Sequence, residues 1–278
     1  MALRINTNVT ALTVQGNLTI NNRNLSKSLQ RLSTGYRINN AADDAAGFAV
    51  ANTFKAKIAS LRVAYQNASE SNSMLQVADG AFHEIESILV RMKELATQAA
   101  GDQIRNDERE LLNTEFAELQ SELDRIAKTS KYNGVTLVYG ASSGEKITFT
   151  FQIGTQNVSH DQLTVTLDAV SSKALAVDAS KIETQSNAQS AMDNIDNALK
   201  SINNYMAKIG AYQNRLQHTM DNLNIMIENY SASESAIRDA DMAFEVTQFT
   251  KNQILQQSGM AMLAQANAAP QQILTLLR

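Results

Sequence analysis

Residues 192–230 carry the strongest pattern in the chain. Met192, Ile195, Leu199, Ile202, Met206, Ile209, Leu216, Met220, Leu223, Ile227 and Tyr230 follow one another at helical spacing, and Gln213 is the one polar residue on the stripe. Apolar residues three and four apart line one face of an α-helix. The spacing predicts a helix over about 184–230, roughly 68 Å long at 1.5 Å rise per residue. A compact enzyme seldom uses such a rod, whereas a coiled coil or long bundle does. Pro270 is the single proline among 278 residues, so little elsewhere forbids helices of that length.

Four further helices are predicted. Near the start, Leu18, Leu25, Leu29, Leu32 and Tyr36 keep one stripe, which breaks at Gly35–Gly47. A second helix, about 48–100, carries Ala51, Phe54, Ile58, Leu61, Tyr65, Ala68, Leu75 and Phe82, then Ile85, Leu89, Met92, Ala96 and Ala99. A third carries Leu112, Phe116, Leu119, Leu123 and Ile126 and stops before Asn133-Gly134. The last, about 234–277, places Met242, Val246, Phe249, Met260 and Leu263 on heptad positions, with Gln253 and Gln256 on two more. From 243 onward its only charged side chains are Glu245, Lys251 and Arg278. The apolar face of such a helix has to be covered by the N-terminal helix, by another copy of the chain, or by both.

Residues 134–168 change period. Ile147, Phe149, Phe151 and Ile153 alternate with polar residues, as do Leu163, Val165 and Leu167, and Gly134, Gly140, Gly144 and Gly154 punctuate the region. Period two with β-branched and aromatic residues means strands, and two to four are expected. The fold class is therefore mainly α. Long antiparallel helices form a coiled-coil-like rod, a small β-hairpin region sits at one end, and the N- and C-terminal helices pair. The domain plan pairs 1–33 with 234–278, makes 34–47 a connecting segment, and assigns 48–233, including the β region 134–168, to the rod.

Composition narrows the function. The chain lacks Cys, so disulfides and thiolate metal sites are excluded. It has no run of roughly 20 apolar residues that could span a bilayer, so membrane insertion is not expected. Residues 1–42 carry a net charge of +5 and no acid, leaving −9 on the rest of a −4 chain. That opening resembles in composition a transit peptide or a nucleic-acid arm, readings that rank behind a helical packing surface. Residues 1–30 lack the apolar core of a secretory signal.

Catalytic chemistry is not visible. His83, His160 and His218 each stand without a metal-ligand neighbour, and His83-Glu84 is not part of HExxH because position 87 is Ser. Phosphate-binding glycine motifs and a GxSxG elbow are missing. Asp43 and Asp44 could suggest a divalent metal. Adjacent helical residues diverge by about 100°, however, so a cap or salt-bridge role fits them better. No cofactor and no enzyme activity are expected.

Several stretches carry a family resemblance. SLQRLSTGYRINNAADDAAGFAVA (28–51) resembles the N-terminal signature of bacterial flagellins, and so do INTNVTAL (5–12) and VRMKELATQAA (90–100). ELDRIAKTSKYNG (122–134) is similar to the stretch that opens that family's β region. SAIRDADMAFEVTQFTKNQILQQSGMAMLAQANAAPQQILTLL (235–277) resembles its C-terminal segment almost throughout. The match covers roughly 1–140 and 180–278. Only about 40 residues separate Tyr139 from Ser180, which implies a short form without outer variable domains.

The resemblance implies a subunit that self-assembles into the extracellular flagellar filament for swimming. It implies export in an unfolded state without a cleaved signal peptide, and partners that include copies of itself, an export chaperone, and the filament cap and hook–filament junction proteins. Leu18, Leu25, Leu29 and Leu32, with Val246, Phe249, Met260 and Leu263, are the expected packing residues of the terminal helices. Gly35, Asp43, Asp44 and Gly47 are the expected connector residues. The resemblance also implies recognition of the monomer by the host's Toll-like receptor 5 through Arg91, Leu95 and Glu115. The rival within the family is the hook–filament junction protein, whose pattern at the connector looks like PSDDP where this chain reads AADDAAG. More remote is a non-assembling coiled-coil adaptor.

Overall fold

The computed structural model describes residues 7–140 and 145–276, with side chains to Ala268; Gly144, one of the expected punctuating glycines, lies outside the described residues. The elements are α1 (Val9–Thr34), α2 (Ala45–Ala99), α3 (Asn106–Thr129), the short strands β1 (Lys131–Tyr132) and β2 (Val135–Thr136), β3 (Lys146–Gln152), β4 (Gln162–Asp168), α4 (Gln185–Arg238) and α5 (Met242–Leu276). The fold is mainly α. The helices α2 and α4 have 55 and 54 residues, or about 80 Å each at the standard rise.

Backbone proximity divides the chain into two units. One draws on the chain up to Ile58 and from Asn229 onward, and the other is Ala59–Glu228. In the second unit α2 and α4 run antiparallel. Lys93 Nζ reaches Asp196 Oδ1 at 2.5 Å, and the rings of Phe82 and Tyr205 lie 6.1 Å apart. Between these helices and α3 lies a continuous apolar core that includes Leu75, Phe82, Ile85, Leu89, Met92, Phe116, Leu123 and Ile195. The stripe residues Ile195, Ile202, Ile209, Leu216, Met220 and Leu223 of α4 all point into buried positions, as the 3–4 spacing requires.

The hairpin β3–β4 is antiparallel with Phe149 opposite Val165 and Ile147 opposite Leu167. Leu163, Val165 and Leu167 are buried, while Thr148, Thr150 and Thr164 face outward, so the period-two pattern corresponds to one covered face. The stretch after β4 has no regular structure, and three polar residues of α3 hold it. Asp124 accepts from the Ser172 backbone N–H at 2.7 Å and from its hydroxyl at 3.0 Å. The Gln120 amide donates to the Val177 and Ser180 carbonyls, and Asn113 accepts from the Ile182 N–H. These replace the ladder bonds an irregular buried segment would otherwise lack.

α4 runs eight residues past the end its apolar stripe suggests. Ser233 bonds back to the Asn229 carbonyl at 2.8 Å, and Arg238 pairs with Glu234 one turn earlier. The stop comes at Asp239, whose surroundings belong to the connector. Asp241 then begins α5 by accepting the Phe244 N–H at 3.1 Å, an N-cap that offsets an orphan donor.

Candidate assembly interface

α1 and α5 pair antiparallel inside the first unit. Asn8 donates its amide to the Ala266 carbonyl at 2.8 Å at one end, and Arg31 Nη1 meets Glu245 Oε2 at 3.5 Å at the other. On α1 the covered row is Ala11, Leu18, Leu25 and Leu32, with Ser28 beside it. On α5 the covered rows are Glu245, Asn252, Gly259 and Ala266, and Phe249, Gln256 and Leu263. Leu18 packs over Gly259 so closely that a Cβ there would lie 2.7 Å from Leu18 Cδ2. A larger residue there would make the Leu18 side chain shift.

Among the described residues, the most deeply buried positions of the α1–α5 seam are polar, set between half-buried Leu18, Leu25, Leu32, Phe249 and Leu263. Ser28, Glu245 and Asn252 are the buried residues of this pair, and Arg31 Nε is buried without a partner among the described atoms. Asn21, Asn24, Ser28 and Arg31 of α1 and Gln248, Glu245 and Asn252 of α5 line a groove of about 370 Å³. Polar groups in such a seam lower stability and specify register.

The apolar residues of α5 sit beside the seam. Met242, Val246 and Met260 form one flank and Phe244, Leu255 and Met262 the other, all between 41 and 60% exposed. Met242 and Met260, like Phe244 and Met262, are separated by about five helical turns and so repeat in direction. Phe249 and Leu263 therefore face α1, whereas Val246 and Met260, one row further round, are exposed. On α1, Leu18, Leu25 and Leu32 are half-buried and Leu29 is exposed. The heptad reading placed 246 and 260 on the same face as 249 and 263. The small and polar row 245–252–259–266 faces α1 instead, because it lets the backbones come close. Spacing alone gives no signal for that choice, although the seven-residue recurrence of Glu245, Asn252, Gly259 and Ala266 is present in the sequence.

The connector is built within the same unit. Gly35 ends α1 with φ 75° and bonds to the Arg31 carbonyl at 2.8 Å, the left-handed cap a glycine supplies. Arg37 N–H donates to the Arg238 carbonyl at 2.7 Å and Ala240 N–H to the Gly35 carbonyl at 2.9 Å. The Arg238 guanidinium lies 4.3 Å from the Tyr36 ring centre, a cation–π contact. These bonds set where α4 stops. Asp43 accepts the backbone N–H groups of Asn39 and Asn40 and pairs with Lys27 at 2.7 Å. Lys27 foremost, and those two amides, hold the Asp43 carboxyl below its usual range. Asp44 accepts the Gly47 N–H at 3.0 Å at the start of α2. A Cβ on Gly47 would meet the Asp44 carboxylate and lie 2.9 Å from the buried Ile38, so a larger residue at 47 would have to displace the Asp44 side chain from its bond to the 47 N–H. Among the described residues no group of three or more His, Asp or Glu is placed to hold a metal ion.

In the second unit, α2 and α3 bring Arg91 and Glu115 together. Arg91 Nε donates to Glu115 Oε1 at 3.0 Å, and its Nη1 donates to Glu94 at 3.0 Å. Both carboxylates raise the guanidinium's pKa, Glu115 foremost. Leu95 does not join them at the surface. It is 1% exposed and packs in the core. The exposed apolar residue nearest in sequence to Glu115 on its own helix face is Leu111, one turn earlier and 74% exposed; residues four apart share a face. The turn between α2 and α3 is closed by Arg109, which donates to the Ala99 and Gly101 carbonyls at 2.7 and 2.8 Å while buried. A cation at a helix C-terminus satisfies its orphan carbonyls. Sequence reasoning passed over Arg109 because a single Arg in a helix reads as solvated.

Residues 5–143 match the bacterial flagellin N-terminal helical region, and residues 192–277 match the bacterial flagellin C-terminal helical region. A flagellin of Halalkalibacterium halodurans is 40% identical over 274 residues, covering 99% of each chain. A Bacillus subtilis flagellin is 36% identical over 306 residues, covering 99% of this chain and all of that one. The flagellar filament 33 kDa core protein of Treponema phagedenis is 39% identical over 287 residues, with 99% of each chain covered. Two family regions in order, full-length relatives on both sides and a short middle place this chain in the bacterial flagellin family.

Proposed function

We propose that the chain is a structural subunit that assembles with copies of itself into the flagellar filament outside the cell. The observation that carries this reading is the pair of apolar flanks on α5, Met242–Val246–Met260 and Phe244–Leu255–Met262. A two-fold dimer needs one self-complementary patch, but a helical array needs each copy to meet neighbours on more than one side. The family is one of structural proteins, and the Treponema phagedenis relative is named a flagellar filament core protein. In this reading 1–33 with 234–278 form the terminal coiled-coil domain, 34–47 the connector and 48–233 the rod domain. Seeded growth of purified chain, followed by pelleting and electron microscopy, tests it. Val246→Asp and Leu255→Asp, one on each flank, should each abolish growth, and normal filaments from both would refute the reading.

The route outward follows from the same resemblance. The subunit passes the flagellar export apparatus unfolded, its α5 face masked by an export chaperone, and meets the hook–filament junction and cap proteins at the growing end. Native N-terminal sequencing that began far inside the chain would contradict this. The junction protein remains the alternative, and localisation of the chain along the filament length rather than at its base decides between them.

Toll-like receptor 5 is a further proposed partner of the monomer. The joined, exposed side chains of Arg91 and Glu115 support it, with Leu95 acting beneath them to seat α2 on α3. Monomer signalling in receptor-expressing cells should fall for Arg91→Ala and Glu115→Ala without loss of melting temperature. For Leu95→Ala the signalling loss should come together with a core cost of about 2–5 kcal/mol. Charge variants that signal like the parent would overturn the proposal.

A further inference from the structure

We infer that Met242, Met260 and Met262 form an oxidation site through which a peroxide blocks addition of the subunit to a filament. The inference rests on the assembly reading above. The chain has ten Met and no Cys, so no thiol competes for an oxidant and the thioethers are its only sulfur. Burial sorts the methionines. Met74, Met92 and Met220 are 7, 0 and 7% exposed, in the core of the second unit. Met242, Met260 and Met262 are 46, 54 and 60% exposed. Met226 of α4, at 37%, lies between and serves as an internal reference.

The place of the three decides the consequence. Met242 and Met260 are on one apolar flank of α5 and Met262 on the other. In each, a sulfur lone pair attacks one oxygen of hydrogen peroxide and the O–O bond breaks. The sulfur gains that oxygen and loses two electrons, and the other oxygen leaves as water once a proton has transferred. A flexible apolar side chain becomes a polar sulfoxide. Both flanks then carry polar S=O groups that a neighbouring apolar face cannot satisfy, and burying them unpaired is costly. Once a subunit is in the array the same sulfurs are covered, so the filament resists an oxidant to which the free subunit is sensitive.

The test uses the full chain. Monomer is treated with hydrogen peroxide, sulfoxides are located by peptide mass spectrometry, and seeded growth is measured. Met242, Met260 and Met262 should oxidise before Met74, Met92 and Met220. Growth should fall about tenfold or more, the factor that corresponds to about 1.4 kcal/mol. A pair of methionine sulfoxide reductases should restore it. Preformed filaments should keep all three unoxidised, and the triple variant Met242→Leu, Met260→Leu, Met262→Leu should grow after peroxide as before it. Undiminished growth with all three sulfoxides present, core methionines oxidising first, or no recovery on enzymatic reduction would overturn the inference. Should the leucine variant fail to grow untreated, the reductase arm on the parent chain decides. An untreated parent that never grows refutes the assembly reading, and this inference with it.

Discussion

In the unit spanning Ala59–Glu228 the fully covered side chains include Phe82, Phe116, Leu75, Ile85, Leu89 and Met92. In the α1–α5 pair the fully covered ones are Ser28, Glu245 and Asn252; Leu18, Leu25, Leu32, Phe249 and Leu263 are half-buried in the seam, and Met242, Val246, Met260, Phe244, Leu255 and Met262 lie exposed on the flanks. The first arrangement is a core that stabilises itself, because each buried apolar side chain contributes about 1.5–3 kcal/mol relative to exposure. The second gains less from its own closure and leaves apolar area exposed, which in the proposed filament other copies would cover. One chain therefore holds a part whose apolar side chains are covered within the subunit and a part whose apolar side chains are left exposed, as the proposed assembly requires.

That contrast can be broken most directly in the core. Phe82→Ala removes a ring with 0% exposure and should cost about 3–5 kcal/mol, read as a large fall in the melting temperature of the second unit. A small change would mean that this unit, too, depends on other copies. Arg109→Ala comes next. It leaves the Ala99 and Gly101 carbonyls without their donor and should cost about 2 kcal/mol, as lost hydrogen bonds to a charged group do. Hydrogen exchange at the end of α2 checks it.

Smaller effects are expected in the first unit. Asp43 has a depressed pKa in the folded chain, so its contribution is present above the ordinary carboxylate range and is lost as pH falls through the lowered value. The pair with Lys27 is partly exposed, which limits the effect to about 0.5–1 kcal/mol. Protection of the Asn39 and Asn40 amides against exchange, relative to the intrinsic rate at each pH, should fall in acid, and Asp43→Asn should remove that pH dependence. Smallest of all is Met260→Asp. It should shift the melting of the free subunit by no more than about 0.5 kcal/mol, as for exposed sites generally, yet stop polymerisation. A large loss of monomer stability would show that this flank is covered within one chain.

How much of this was legible in the sequence differs by region. Ile195, Ile202, Ile209 and Leu216 announced both the helix and its buried face, because in a self-sufficient core the apolar stripe and the covered stripe coincide. Phe149 and Val165 likewise announced a hairpin with one covered face. For α5 the apolar stripe and the covered stripe do not coincide, so Val246 and Met260 read as seam residues and lie outside it. The connector motif was legible as a break, but not the reason α4 ends at Arg238, which lies in the backbone bonds of Gly35 and Arg37.

The sequence by itself determined the helices, the β-hairpin and the family, since periodicity and local motifs act over a few residues and survive in any context. Only the tertiary structure decided which face of α5 meets α1, that Leu95 lies beneath rather than beside Arg91 and Glu115, and that Arg109 closes α2. Those outcomes depend on how closely two backbones approach and on which distant carbonyls need donors. Both are properties of residues far apart in the chain, such as Leu18 against Gly259 and Arg109 against Ala99.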